Sequence, residues 1–370
     1  MMGKALIKNA QFMIGSTFFF SVLAASFFYT IFFQDHIPVA ELTYDQNGDI
    51  LARPPYSPVE HPPFGTDNVS QDLFFLLLVG AKYTLGIALV IALARFVLSF
   101  LLGVGMQLYA APILKKVKPL LEGFFYFPAP LLAYLILSYV LMRDLFMDSD
   151  FSTTFTERMV FEVIVLIMIG VPITMTTIAR EVELLQEKEF ITSAKVLGGS
   201  RFHMLMKHLM PYFKPQLFII FIREIILVLL LLAHLGILNI LFGGAAIEED
   251  IFGNSVFVSL SNEWSGLIGN NLKFLFTTYY WIPLVPIICF TVTILALKMM
   301  VQGFQEASAH ASKKGMVVRK EKKSLEEYDQ KKIDDRSFKA RKKGDFSLVR
   351  EFKMEDVDEV KGVHIWNKNN

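Results

Sequence analysis

Cysteine and the common metal- and phosphate-binding motifs are nearly absent from this 370-residue chain. Cys289 is the single cysteine, so the chain can form no intrachain disulfide and no cysteine-based metal site. The seven histidines are scattered without an HExxH spacing, and neither GxxxxGKS nor GxxxxGKT occurs. We therefore expect no metal site, no cofactor and no ATPase activity on this chain.

Charge is also scarce, and it is unevenly distributed. Only 19% of the residues are charged while 54% are hydrophobic, a composition typical of membrane proteins. The net charge of +1 at pH 7 gives no indication of a nucleic-acid partner. Charged residues are few before residue 309 and dense from 309 to 370, which predicts a membrane part followed by a charged tail.

Long apolar runs, in contrast, are plentiful. A span needs about 20 apolar residues to cross roughly 30 Å of hydrocarbon. Six runs qualify, at 10–33, 84–110, 123–141, 159–178, 213–238 and 279–300. The first is longer than the core of a signal peptide, which favours a retained anchor helix. The sequence predicts an all-α polytopic membrane protein with six transmembrane helices.

Lysine and arginine predict the orientation of these spans. They are concentrated before span one, between spans two and three, between spans four and five, and in the tail. The segments 34–72 and 239–278 contain one each. Because basic residues remain on the cytoplasmic side, we predict a multi-pass cell-membrane protein with both termini cytoplasmic and 34–72 as an extracellular loop.

The segment between spans four and five has its own helical pattern. Phe190, Ala194 and Leu197 fall on one face of a helix, and Gly198 follows as a residue suited to end it. Pro211 stands where the next span begins. This pattern predicts a short helix beneath the membrane. Periodicity alone leaves open whether it only connects two spans or docks a partner protein.

This segment resembles the EAA loop of binding-protein-dependent ABC importer permeases. In FITSAKVLGGSRFHMLMKHLMP (190–211), Ser193, Ala194 and Gly198 match the A-A-x-x-x-G core, and Pro211 matches the proline that follows it. Thr192 stands where an acidic residue is common in the family.

Three further stretches are similar, in the same order, to the C-type subunit of dipeptide and oligopeptide permeases. They are HPPFGTDNVSQDLFFLLLVGAKYTLGIAL (61–89), FFYFPAPLLAYLIL (124–137) and EWSGLIGNNLKFLFTTYYWIPLVPIICFTVTILAL (263–297). The resemblance covers about residues 60–308. The pair Ser70-Gln71 departs from it by replacing a Gly-Arg of the family.

The resemblance implies a type I ABC importer permease fold, with a permease domain at 73–308 and a coupling loop at 179–212. It implies a contact with an ATPase subunit and a bend into span five at Pro211. The residues implied at the contact are Phe190, Ser193, Ala194, Leu197 and Gly198. The implied partners are a second permease subunit in a heterodimer, two ATPase subunits carrying ATP and Mg, and an extracellular substrate-binding protein.

Several charged residues fall within or near the predicted spans. A charge at a span centre costs about 2.5–3.5 kcal/mol on insertion scales, so such groups face protein or water. One hypothesis is that Arg95, Arg223 and Glu224 line a transport pathway, in which Arg95 or Arg223 meets a peptide carboxylate. The other is that Arg95 or Arg223 forms an interhelical ion pair with Glu162 or Glu224 that only fixes packing.

Other functions remain open from the sequence alone. The same permease family includes importers of nickel and of other small solutes, and nothing in the spans distinguishes these substrates. A secondary transporter acting alone would need no ATPase partner, and a scaffold would need no open path. The tail is predicted to be disordered or loosely helical. A tight turn is predicted at 46–49, and a short helix near 264–276.

Overall fold

The computed structural model describes residues 2–45, 50–141, 153–196, 200–249 and 255–342. The predicted turn at 46–49 lies outside these residues. The helices are α1 (Met2–Lys8), α2 (Ala10–Phe33), α3 (Leu73–Tyr109), α4 (Ala111–Tyr126), α5 (Ala129–Leu141), α6 (Phe155–Gln186), α7 (Glu189–Val196), α8 (Arg201–His203), α9 (Met210–Ile237), α10 (Trp264–Asn271) and α11 (Trp281–Lys342).

Five helical stretches in the described part of the chain are long and apolar enough to cross a membrane. They are Ala10–Phe33, Leu73–Tyr109, Phe155–Gln186, Arg201–Ile237 and Trp281–His310. This confirms the predicted polytopic, mainly helical membrane protein.

The predicted third span is divided in the structure. Residues 123–141 belong partly to α4 and partly to α5, and the helix is interrupted at Phe127 and Pro128. Proline disfavours helical conformation in the residue before it, which explains why α4 stops at Tyr126. At 1.5 Å per residue, α5 measures about 20 Å as far as Leu141, less than the hydrocarbon thickness. Residues 142–152 are outside the described part, so the count of six spans stays a prediction.

Two small antiparallel sheets lie outside these helices. Strands β1 (Thr43–Tyr44) and β2 (Ile50–Ala52) pair within 34–72. Strands β3 (Ala245–Glu249) and β4 (Ser255–Ser259) pair between α9 and α10. We call the end of the bundle that carries both pairs the hairpin end. The opposite end carries α7 and α8, and we call it the α7 end.

Polar side chains cap the first turns of the long helices α3 and α6. Asp72 accepts hydrogen bonds from the N–H groups of Phe74 and Phe75, at 2.8 and 3.3 Å, and begins α3. Thr154 and Glu157 form a reciprocal capping box at the start of α6. These local bonds satisfy backbone donors that the first turn of a helix leaves unpaired.

The largest apolar cluster combines α3, α6 and α9 with the short helix α10. Helix α10 is almost wholly buried and lies within the range where the sequence predicts a short helix. It approaches α9 closely, because a Cβ on Gly269 would lie 1.8 Å from the carbonyl oxygen of Gly236. Glycine at both positions therefore allows the two backbones to touch.

The chain divides into two compact units between Ser308 and Ala309. The second unit contains the charged tail, which is helical as far as Lys342, the last described residue.

Candidate functional site

The segment that resembles an EAA loop contains a helix at the predicted place. Helix α7 includes Phe190, Ser193 and Ala194, whereas Leu197 and Gly198 lie outside the described residues. Ser193 is exposed, and its hydroxyl donates to the Glu189 carbonyl at 2.9 Å. Ala194 is half-buried, and for Phe190 only the backbone is described. The contact with an ATPase that these residues predict stays a prediction.

An apolar cluster separate from the main core anchors α7. From α7 the cluster contains Ile191, which is only 2% exposed, and the half-buried Ala194 packs against it. The partners of Ile191 come from α3, α6, the segment after α8 and α9, and they are Val104, Ile178, Val182, Leu185, Met204, Leu205, Leu209, Phe213 and Ile220. The cluster therefore links α7 to side chains from three long helices.

Arg201 adds a polar link from the same segment to α3. Its guanidinium donates to the Leu108 carbonyl at 3.1 Å and lies 5.8 Å from the centre of the Tyr109 ring. Both residues belong to the last turn of α3, where carbonyl groups lack helical partners.

The chain remains helical from Arg201 into α9. A π-helical turn, Met204–Leu209, stands directly before α9, and the Met210 N–H bonds to the Leu205 carbonyl five residues back. Pro211 follows in the first turn of α9, where its missing N–H costs little. The predicted bend at Pro211 stays a prediction.

The structure brings together two of the three charged residues predicted for a pathway. Arg95 on α3 and Glu224 on α9 form an ion pair at 3.9 Å, with side chains 5% and 6% exposed. The guanidinium also donates to the Leu166 carbonyl of α6, with 2.9 Å from Nε. Thr174 donates to Glu224 at 2.7 Å. Each charge thus has partners, as a charge inside a membrane protein requires.

Gly170 makes room for this ion pair. A Cβ at residue 170 would lie 2.4 Å from Nε of Arg95, so the guanidinium packs directly on the backbone of α6. Neither Gly170 nor Thr174 was predicted as a site residue. The sequence signal that could have indicated a polar contact is a glycine and a threonine one helical turn apart within an otherwise apolar run.

A cavity of about 220 Å³ adjoins the ion pair, and we call it the paired-charge cavity. Most of its wall is apolar, and His234 joins Arg95, Thr174 and Glu224 as its polar groups. The full lining is Arg95, Ala129, Pro130, Ile169, Gly170, Ile173, Thr174, Glu224, Leu227, Leu230, Leu231 and His234.

Arg223 lies apart from this pair and lines a different cavity. That cavity measures about 370 Å³, and we call it the basic cavity. Its lining residues are Arg223, Ile226, Leu227, Lys298, Val301, Gln302 and Gln305. Sequence analysis did not single out Lys298, because it stands at the end of a span where lysine is common.

The exposed face of α9 connects the two cavities. Arg223, Leu227, Leu230 and His234 follow one another at spacings of four, three and four residues, and all are exposed. Leu227 lines both cavities, while Leu230 and His234 line the paired-charge cavity. One helix face within a predicted span therefore presents a cation, two leucines and a histidine.

Glu162, the other acidic residue of the packing hypothesis, belongs to the hairpin end. It accepts a hydrogen bond from the Gly243 N–H at 3.2 Å, and Arg158 donates to the Gly243 carbonyl at 2.7 Å. Glu162 is not paired with Arg95, which contradicts that part of the packing hypothesis and leaves Glu224 as the partner of Arg95.

Glu263, which sequence analysis missed, completes the buried polar groups of the hairpin end. Its carboxyl accepts hydrogen bonds from the hydroxyls of Ser259 and Ser261 and from the Phe242 N–H, the last at 3.2 Å. Burial raises the pKa of Glu263, and these hydrogen bonds oppose the increase. By contrast, the Ser57 N–H and hydroxyl lower the pKa of the exposed Glu60.

Comparison with known proteins gives one informative relative. No family model matches the chain. The peptide transport system permease protein SapC of Haemophilus influenzae is 24% identical over 249 residues, which cover 66% of this chain and 72% of SapC. This similarity confirms the resemblance of the chain to the peptide-permease family of ABC importers.

Proposed function

We propose that this chain is a permease subunit of an ATP-driven importer for peptides. The similarity to SapC supports a permease of the peptide class. The observation that carries the proposal is the anchoring of α7, since its buried Ile191 belongs to one apolar cluster with side chains of α3, α6 and α9. A partner that binds α7 would be connected mechanically to three membrane helices.

The proposed mechanism is alternating access driven by separate ATPase subunits. ATPase closure moves α7, and the shared apolar cluster transmits the movement to the spans. A ligand shifts such a two-state equilibrium only by its difference in affinity for the two states. ATP and a loaded substrate-binding protein must therefore both favour the outward-facing state.

The exposed face of α9 is the proposed wall of the transport path. In this proposal the open side faces the second permease subunit across a water-filled route. Arg223 and His234 support this arrangement, because a charged or strongly polar side chain within a span is stable only where protein or water surrounds it.

The test is co-purification from detergent-solubilised membranes, with associated chains identified by mass spectrometry. We expect an ATPase and a second permease to accompany the wild type. Ser193→Arg, which places a large charge on exposed α7, should lose the ATPase and keep the permease. Glu122→Arg on α4 is the matched control, since it changes an exposed residue outside the segment and should keep both. A wild-type chain that purifies without any ATPase would contradict the proposal.

A further inference from the structure

The basic cavity contains positive charge that no described residue neutralises. Arg223 and Lys298 both line it, and neither forms an ion pair within the described part of the chain. No Asp or Glu lines this cavity. Glu224 is next to Arg223 in sequence, but its carboxylate is held by Thr174 and Arg95 in the other cavity.

The two cations lie at similar heights on neighbouring antiparallel helices. By the rise of an α-helix, Arg223 is about 21 Å from the end of α9 at Ile237, and Lys298 is about 26 Å from the start of α11 at Trp281. Arg223 therefore lies well within the roughly 30 Å of hydrocarbon that a span crosses, and Lys298 lies nearer the α7 end of its span. An uncompensated cation at the depth of Arg223 needs water or an anion beside it.

All polar side chains of the basic cavity can donate hydrogen bonds. The guanidinium of Arg223 matches the two oxygens of a carboxylate, and Lys298 supplies a compact second charge. Gln302 and Gln305 add amide donors on the side towards the end of α11. This donor set fits an oxyanion and disfavours a cation.

We propose that the basic cavity is the carboxylate subsite of the transport path, and that it takes the C-terminal carboxylate of a substrate peptide. The proposal rests on the proposed function. A peptide carboxylate is favoured over a lipid phosphate because Leu227 joins the basic cavity to the paired-charge cavity, which extends the route further along α9. A lipid phosphate would remain at the boundary of the hydrocarbon.

The subsite also predicts a direction of selectivity. A peptide with a free C-terminal carboxylate gains a charge-assisted contact at Arg223, whereas its C-terminal amide does not. Glu224 offers no competing attraction for cations, because Arg95 already neutralises it.

A cysteine-labelling experiment tests the subsite on the purified full-length chain in lipid nanodiscs. Cys289→Ser removes the native thiol, and Gln302→Cys places a new one in the cavity wall. Two methanethiosulfonate reagents of similar size, the anionic ethylsulfonate and the cationic trimethylammonium, are compared by their labelling rates. We expect the anion to be favoured, and Arg223→Gln or Lys298→Gln to lower the anion-to-cation ratio about tenfold.

The matched control is Arg180→Gln, which removes an exposed arginine from another part of the surface and should leave the ratio unchanged. Trialanine should slow labelling at residue 302, and trialanine amide should not. Equal ratios in the parent and in both charge variants, or equal protection by the two peptides, would overturn the subsite. Without any peptide, slower labelling at residue 302 in phosphatidylglycerol discs than in phosphatidylcholine discs would assign the cavity to a lipid headgroup instead.

The labelling experiment can contradict the subsite without contradicting the proposed function. Peptide uptake and ATPase co-purification need no charge preference in the basic cavity, so they can succeed while the subsite fails. If the anion preference is present and no ATPase is found with the chain, the cavity is still a carboxylate-binding site, but the importer proposal is contradicted.

Discussion

The two ends of the bundle are held together by different kinds of interaction. At the hairpin end, backbones touch at Gly236 and Gly269, and Glu263 is fixed by directed hydrogen bonds. At the α7 end, α7 is held by apolar contacts around Ile191, and α8 is held by a surface hydrogen bond from Arg201 to α3. Directed bonds and backbone contacts tolerate little displacement, whereas the hydrophobic effect that holds an apolar cluster is non-directional. We therefore expect the α7 end to open locally more readily than the hairpin end.

The largest expected effect comes from crowding the hairpin end. Gly269→Ala places a methyl group 1.8 Å from the Gly236 carbonyl oxygen, so α9 and α10 must separate. We expect a loss of about 3 kcal/mol or more, the upper range for overpacking. Thermal unfolding monitored by tryptophan fluorescence measures it, since Trp264 and Trp281 both lie at this end.

The matched control for this crowding is Gly86→Ala on α3. A Cβ at Gly86 meets nothing within 4 Å, and alanine favours the helix, so stability should be kept or slightly increased. Equal destabilisation by both substitutions would show that the close approach of α9 and α10 is not what stabilises this end.

A smaller effect is expected when the α7 end is weakened. Ile191→Ala removes a buried side chain, and such truncations cost about 2–5 kcal/mol in a rigid core. Here we expect that cost to appear as local opening of α7, with little change in the unfolding temperature. Hydrogen exchange of the 187–210 peptides should accelerate while peptides from α10 stay protected.

Met206→Ala is the matched control at this end, because Met206 is 50% exposed in the same segment. Its exchange should resemble that of the wild type. If Ile191→Ala instead lowers the unfolding temperature as much as Gly269→Ala does, the two ends share one cooperative unit and the contrast between them is wrong.

The smallest effects concern pH, and they distinguish two carboxyls at the hairpin end. The raised pKa of Glu263 means that folding favours the protonated acid. Its contribution to stability is complete below the usual carboxyl range and is lost as pH rises through the folded pKa. The lowered pKa of Glu60 has the opposite sign, so its contribution is present above that range and is lost as pH falls.

The pH profile of the unfolding temperature measures both contributions. Glu263→Gln should flatten the decline on the high-pH side, and Glu60→Gln should slightly flatten the decline on the low-pH side. Glu60 is fully exposed, so its effect is the weaker of the two. Flattening on the same side by both variants would contradict the assignment.

Sequence patterns were most reliable where the physics is local. Apolar length predicted α2, α3, α6, α9 and α11, because about 20 apolar residues suffice for a span wherever they occur. Periodicity and the resemblance placed α7. The third span was drawn wrongly, since hydropathy passes over the interruption at Phe127 and Pro128.

Contacts between distant parts of the chain could not be predicted. The sequence identified four charged residues whose insertion into a membrane is unfavourable, namely Arg95, Glu162, Arg223 and Glu224. Their partners depend on how the helices are rotated against each other. Only the structure shows that Glu224 meets Arg95 and that Arg223 faces the other cavity with Lys298. Glycine is likewise required at 170 and 269 because a side chain or a backbone that is distant in sequence packs against these positions.

The sequence by itself thus determined that the chain is a helical membrane protein with a resemblance to peptide permeases, because hydrophobic length and short motifs act through neighbouring residues. The tertiary structure alone decided which charges are neutralised and which stay open. Ion pairing inside a membrane requires side chains from different helices at the same depth and on facing sides, and neither depth nor facing side is encoded in a local pattern.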